Sequence, residues 1–136
     1  MNVDVKDNDV MTIRQMCDQY DVSARTLRFY EAKELLSPVR EGQKRLFTKR
    51  DRVRLKLILR GKRFGLSLEK IRQILELYEM GDGGYTQLLR SVQVAKERHI
   101  ELTQQRDELN EALAELAELI KLGQTELETR EKTNAA

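Results

Sequence analysis

Apolar residues follow two different registers along the chain, separated by the segment Gly81-Asp82-Gly83-Gly84. Before that segment they come in short helical clusters with frequent breaks. Thr12-Ile13-Arg14-Gln15 has the T-x-x-Q form of a capping box, and Ile13, Met16, Cys17 and Tyr20 follow at i, i+3, i+4 and i+7, so a helix is predicted from Thr12. Asp21-Val22-Ser23 breaks it, and Ser23 is suited to cap a second helix from Ala24 to about Lys33. Two short helices about a three-residue turn predict a helix-turn-helix. Pro38 ends any helix, and Glu41-Gly42-Gln43 lies between the short stretches Pro38–Arg40 and Arg45–Phe47, which predicts a β-hairpin, or wing. A cap at Thr48 to Asp51 then opens a third helix through about Arg63. Its broad apolar face is expected from Val53, Leu57, Arg60 and Phe64, with Leu55, Ile58 and Leu59. Gly65 stops it, Ser67 caps a fourth helix, and Leu68, Ile71, Leu75 and Tyr78 are its expected buried face.

Beyond the glycines the pattern changes. Tyr85, Leu88, Val92, Ala95, His99, Leu102, Arg106, Leu109, Leu113, Leu116 and Ile120 alternate spacings of three and four without a slip. About five heptads of mostly apolar a and d residues predict a coiled coil, a helix of roughly 54 Å. A helix so long and one-sided calls for a second copy as its partner. The polar stretch after Gly123 is expected to fray. The expected organisation is a helix-turn-helix domain over 10–80, a linker over 81–84, a coiled-coil dimerisation helix over 85–122 and a flexible tail over 123–136.

Charge sharpens this division. Residues 1–80 carry 18 Lys/Arg against 12 Asp/Glu, whereas residues 81–136 carry 7 against 11, within an overall net charge of +2. From Arg25 to Arg63 there are 14 basic and 4 acidic residues. A basic block joined to an acidic helical half points to a polyanion-binding module with a separate extension, although basic residues also serve to solvate helix faces.

The 136 residues include one Cys, one His, one Pro and no Trp. A single cysteine excludes an intrachain disulfide framework and a multi-thiolate zinc site within one chain. No apolar run approaches the roughly 20 residues of a membrane span, and MNVDVKDNDV is acidic with no apolar core of a secretory signal. A cytoplasmic protein with no membrane partner is the expectation. No Ser/His or Cys/His pair assembles a catalytic group, so neither an enzyme nor a cofactor is expected.

Val22-Ser23-x-x-Thr26-Leu27-Arg28-x-Tyr30-Glu31, Leu35-Leu36-Ser37-Pro38, Arg45-Leu46-Phe47, Asp51-x-Val53 and Gly65-Leu66-Ser67-Leu68-x-x-Ile71 together resemble the MerR family of bacterial transcription regulators. Order, spacing and residue type agree across residues 11–80, and the long terminal helix is similar to that family's dimerisation helix. The resemblance implies a mainly α fold: a winged helix-turn-helix DNA-binding domain followed by a long antiparallel coiled-coil dimerisation helix. It implies a homodimer on a pseudo-palindromic operator in promoter DNA with an overlong spacer. An effector then twists and bends the bound DNA so that RNA polymerase can use the promoter. The run from Asp51 to Arg63 looks most like the short members that control branched-chain amino acid and fatty acid catabolism, which implies a metabolite effector such as an acyl-CoA.

Residue chemistry adds candidate contacts. Arg25, at the start of the second helix, is placed for base edges. Arg28 and Tyr30 offer a guanidinium and a hydroxyl for phosphate, and Phe29 is either a contact to a thymine methyl or part of the core. Arg40, Lys44 and Arg45 in the wing, with Arg60 and Arg63 after it, are candidates for the DNA backbone. The family's wing commonly reads Gly-Tyr-Arg-x-Tyr, whereas this chain reads Gln43-Lys44-Arg45-Leu46-Phe47, so two tyrosine positions depart from the pattern. The expected dimer seam comprises Leu88, Val92, His99, Leu102, Arg106, Leu109, Leu113, Leu116 and Ile120, with His99 and Arg106 fixing register. Cys17 lies on an apolar face, where it reads as a small hydrophobe rather than a redox sensor. Metal-sensing relatives carry cysteines just past the long helix, and this chain has none there. The alternatives are an architectural DNA-bending protein without effector and a coiled-coil adaptor with an acidic protein partner.

Overall fold

The computed structural model describes residues 9–77 and 81–135. The elements are β1 (Val10–Thr12), α1 (Ile13–Tyr20), α2 (Ala24–Ala32), β2 (Val39–Glu41), β3 (Lys44–Thr48), α3 (Lys49–Arg63), α4 (Leu68–Leu77) and α5 (Tyr85–Ala135). The fold is mainly α, with an N-terminal winged helix-turn-helix and a long C-terminal helix. The chain divides into two units, Met1–Ser91 and Val92–Ala136.

In the first unit, helix starts follow the local chemistry. Thr12 N–H donates to Gln15 Oε1 at 2.8 Å while Gln15 N–H donates to Thr12 Oγ1 at 3.2 Å, the reciprocal bonds of a capping box. Asp21, in the left-handed region at φ 53°, ends α1, and Ser23 Oγ accepts from Thr26 N–H at 3.0 Å to start α2. The helix-turn-helix thus has the predicted bounds. The wing has one strand more than the hairpin reading. β1 pairs antiparallel with β3, placing Met11 opposite Phe47, and the sheet order is β1-β3-β2. Three residues directly before a helix cap are too few to show a period of two.

The core joins Met16 of α1, Leu27 and Tyr30 of α2, Leu35 and Leu36 of the following turn, Phe47 of β3, Leu55 and Ile58 of α3, and Ile71 and Leu75 of α4. The burial of α3 differs from the sequence expectation. Its inward line is Asp51, Leu55, Ile58 and Gly61, whereas Val53 and Phe64 are 38% and 47% exposed. In a helix that buries 51, 55 and 58, position 53 lies on the opposite side. Gly61 marks where α3 meets α4, since a Cβ there would stand 2.7 Å from Ile71 Cγ1. Ile71 and Leu75 are buried in α4 as expected, and Tyr78 lies outside the described residues.

Asp51, 1% exposed, is the one buried charged residue among the described residues. Its Oδ1 accepts from Ser37 N–H at 3.0 Å, and its Oδ2 accepts from Thr48 N–H and Thr48 Oγ1–H, both at 3.2 Å. The carboxylate therefore completes the α3 capping box and also closes the loop that precedes β2.

The glycine-rich segment forms the turn before α5. Asp82 accepts from Gly84 N–H and Thr86 N–H, both at 3.1 Å, and from the Thr86 hydroxyl. The Thr86 hydroxyl bond holds the Asp82 carboxyl below its ordinary value, so this cap is complete above the ordinary carboxylate pKa and is lost as acid protonates it. The first turns of α5 belong to the first unit: Gln87 Nε2–H donates to Ile74 O at 3.0 Å. The division therefore falls inside α5 rather than at the linker.

The second unit is the remainder of α5. The helix does not fray after residue 122 but continues through Gly123 to Ala135. Glu126 and Arg130 form an i,i+4 ion pair at 2.9 Å, and Thr125, Thr129 and Thr133 hydroxyls bond carbonyls one turn back at 3.0 Å. The exposed i,i+4 pair contributes about 0.2–0.5 kcal/mol against the about 1 kcal/mol that one glycine costs, and the Gln, Glu, Leu, Arg and Lys residues that follow are good helix formers. Leu109, Leu113, Leu116 and Ile120 are each more than half exposed, while Val94, off the heptad series, is buried.

Two stability outcomes follow from this packing. Asp51→Ala, which leaves the Ser37 and Thr48 N–H groups without their acceptor, is expected to lower unfolding free energy by about 2–4 kcal/mol in urea titration. Gly61→Ala gains about 1 kcal/mol of helix propensity but meets Ile71, and overpacking costs about 1–3 kcal/mol, so a lower urea midpoint is expected.

Candidate nucleic-acid interface

α2 has nine residues and two faces. Leu27 and Tyr30, at i and i+3, enter the core, which turns Arg25, Arg28 and Phe29 outward. Phe29 is 45% exposed, so it is not a core residue. The Lys33 ammonium stands 5.6 Å from its ring centroid, which makes the outward face of α2 both cationic and aromatic. Tyr30, expected on sequence grounds to offer its hydroxyl to phosphate, belongs instead to the core. Burial pushes its phenol above the ordinary tyrosine value. Its backbone carbonyl also accepts from Leu35 N–H at 2.9 Å and Leu36 N–H at 3.3 Å, so the α2 terminus turns about this residue.

The wing stands beside the end of α2. Gly42, at φ +63°, makes the turn between β2 and β3, a conformation that a side chain would strain. Arg40 lies opposite Arg45 across the hairpin, and Glu41 opposite Lys44. Arg45 Nε–H donates to Glu31 Oε1 at 2.5 Å, and Arg40 Nε stands 3.4 Å from Glu31 Oε2. Two predicted DNA contacts are thus brought together by an acid of α2 that the sequence reading passed over. Lys44 is exposed. The departure at Phe47 carries no consequence for an exposed wing surface, because Phe47 is fully buried.

Arg60 and Arg63 are exposed in the last turn of α3. Among the described residues, no hydrogen bond or ion pair joins them to α2 or the wing. Other cations of the basic block turn inward onto the backbone. Arg52 Nη1–H donates to Asp9 O at 3.0 Å and Phe47 O at 3.2 Å, and Arg54 Nε–H donates to Leu35 O at 2.7 Å. Beyond the block, Arg72 of α4 donates to Lys33 O. Cys17 is half-buried against the core beside Ile13 and Tyr20, as expected of a small hydrophobe. The signals that could have marked Asp51 and Glu31 were slight. Asp51 closes a T-x-x-D capping box, and both are among only four acids between Arg25 and Arg63.

Residues 11–77 match the model of the MerR helix-turn-helix regulatory protein family, and residues 52–119 match the MerR DNA-binding model. The chain belongs to the MerR family. The HTH-type transcriptional regulator ZntR of Escherichia coli strain K12 is 37% identical over 67 residues, 48% of this chain and 48% of that protein. The match therefore spans about half the length of that curated relative. Among solved structures, HiNmlR, a MerR family regulator lacking the sensor domain and bound to promoter DNA, is 28% identical with a TM-score of 0.59, covering 76% of this chain and 78% of that one. A MerR family regulator from Listeria monocytogenes is 29% identical with a TM-score of 0.60, covering 81% and 83%. No helix among the described residues of this MerR-family chain is long and apolar enough to cross a membrane.

The burial of Tyr30 has an alkaline consequence. Its pKa is raised in the folded state, so stability present below the ordinary tyrosine value falls as pH rises through about 10 toward the folded pKa. Tyr30→Phe is expected to remove one late-ionising phenolate from an ultraviolet titration and to flatten that loss.

Proposed function

We propose that this MerR-family chain is a homodimeric, site-specific transcription regulator that binds an inverted-repeat operator in promoter DNA. Residues 10–80 form the DNA-binding domain and α5 forms an antiparallel coiled coil with a second copy. The observation that carries this reading is the outward α2 face of Arg25, Arg28 and Phe29. A helix-turn-helix presents such a face to the major groove, with its N-terminal residues at base edges. The likeness to HiNmlR, which is bound to promoter DNA, supports it. Arg25 reads base edges, Arg28 sets position on phosphate, and Phe29 meets a thymine methyl. Arg40, Lys44 and Arg45 grip the backbone from the wing, with Arg60 and Arg63 adding contacts. Tyr30 is left out, because its ring is in the core.

The exposed heptad stripe supports the dimer. Leu88, Val92, Leu102, Leu109, Leu113, Leu116 and Ile120 are all exposed along α5, and an apolar stripe of that length marks an association surface. His99 and Arg106, also exposed, fix its register. The effector is a catabolic metabolite such as an acyl-CoA, a reading supported by the likeness of α3 to regulators of branched-chain amino acid and fatty acid catabolism. Bound effector distorts the promoter for RNA polymerase.

Selection of bound fragments from the source genome, followed by salt titration, tests this function. Recovery of one inverted repeat between promoter elements is expected. Arg28→Ala should weaken binding about uniformly across sequences and reduce the log–log salt slope by about 1. Recovery of unrelated fragments at equal affinity would instead favour an architectural DNA-bending protein, and no DNA at low salt would favour an adaptor. Leu109→Glu with Leu113→Glu, both exposed in the single chain, is expected to convert a dimer to a monomer in sedimentation equilibrium without loss of the N-terminal fold.

A further inference from the structure

Arg40 and Arg45 are directly opposed across the β2–β3 hairpin, an arrangement of like charges that by itself destabilises a strand pair. One carboxylate of α2 resolves the conflict by dividing its oxygens. Glu31 Oε1 takes Arg45 Nε–H at 2.5 Å, and Oε2 faces Arg40 Nε at 3.4 Å. Both guanidiniums are engaged through the inner nitrogen. The closest approach of each guanidinium to Glu31 is through Nε, and among the described residues no hydrogen bond takes an Nη atom of either arginine. Glu31 is the more covered partner of Arg40, with side-chain exposures of 21% and 49% respectively. The outer edge of the Arg40 guanidinium is therefore open on the wing, and Arg45, with 23% of its side chain exposed, reaches solvent in part beside the end of α2. A guanidinium with its Nη edge open matches phosphate oxygens.

We propose that Glu31 is a positioning residue that holds Arg40 and Arg45 as a paired guanidinium clamp for the phosphates of duplex DNA. This rests on the DNA-binding reading above. The clamp runs against simple field arguments. Removing an acid from a basic surface raises affinity for a polyanion when only net charge matters. With Glu31 as positioner, its removal lets the arginines repel each other and disperse, and phosphate contacts are lost.

The test uses the whole chain and a labelled duplex recovered by genomic selection with the unaltered protein, titrated by anisotropy over a salt series. Glu31→Ala is expected to bind about tenfold more weakly, with a log–log salt slope shallower by about 1–2, since each phosphate contact contributes about 0.9. Glu31→Gln, which keeps the volume and one acceptor oxygen, should fall between the two. In an Arg40→Ala, Arg45→Ala background, Glu31→Ala should change affinity by less than about twofold, because the residues it positions are gone. Equal or tighter binding by Glu31→Ala overturns the proposal. So does a loss of affinity with an unchanged slope, which reports only a smaller folded fraction, and so does an undiminished loss in the double-arginine background. If the unaltered protein recovers no duplex at low salt, the DNA-binding reading itself fails, and that result is distinct from all of these.

Discussion

The Asp51 carboxylate, buried at the start of α3, ties together the polar backbone of three segments whose apolar side chains share one core. One oxygen closes the loop before β2 through Ser37 N–H, and the other fixes the β3 terminus through Thr48 N–H and Oγ1–H. A buried carboxylate is tolerated only when its lone pairs are filled, so the loop, the strand end and the helix cap must form together. Phe47, next to this knot, is fully buried, and the wing thereby becomes an extension of the core rather than a loose hairpin. β1 adds a third strand to the same β3.

Upon this frame α2 is fixed in two ways. Leu27 and Tyr30 anchor its inner side in the core, and Glu31 ties its last turn to both wing arginines. Burial of two residues at i and i+3 decides which way Arg25, Arg28 and Phe29 face. The outward cationic face of α2 is thus a by-product of core packing on the other side of a nine-residue helix, and its cations need no contacts of their own to be held outward.

The basic block of residues 25–63 is divided by the fold between two uses. Arg52 and Arg54 donate to backbone carbonyls of the β1–β3 edge and the turn after α2, where a guanidinium satisfies acceptors that a short strand or helix end leaves open. Arg25, Arg28, Lys44, Arg60 and Arg63 remain exposed. Net charge therefore overstates the cations on offer to a polyanion, and only the structure distinguishes those that staple the backbone from those that face out.

By itself the sequence determined what depends on near neighbours. The capping boxes at Thr12 and Thr48, the Ser23 cap, the Gly42 turn and the heptad stripe are set by contacts within a few residues, and each stands where its motif placed it. What only tertiary structure decided are matters of distant contact. Neighbours in sequence, Phe29 and Tyr30 take opposite sides, one exposed and one buried, because the core chooses which face of α2 it covers. The face of α3 that turns inward, the pairing of β1 with β3 and the bonds of Glu31 and Asp51 to partners fourteen residues away have no local signature. Helix caps and turns are short-range and leave a pattern in the chain, whereas a carboxylate finds its donors only after the segments that carry them have packed together.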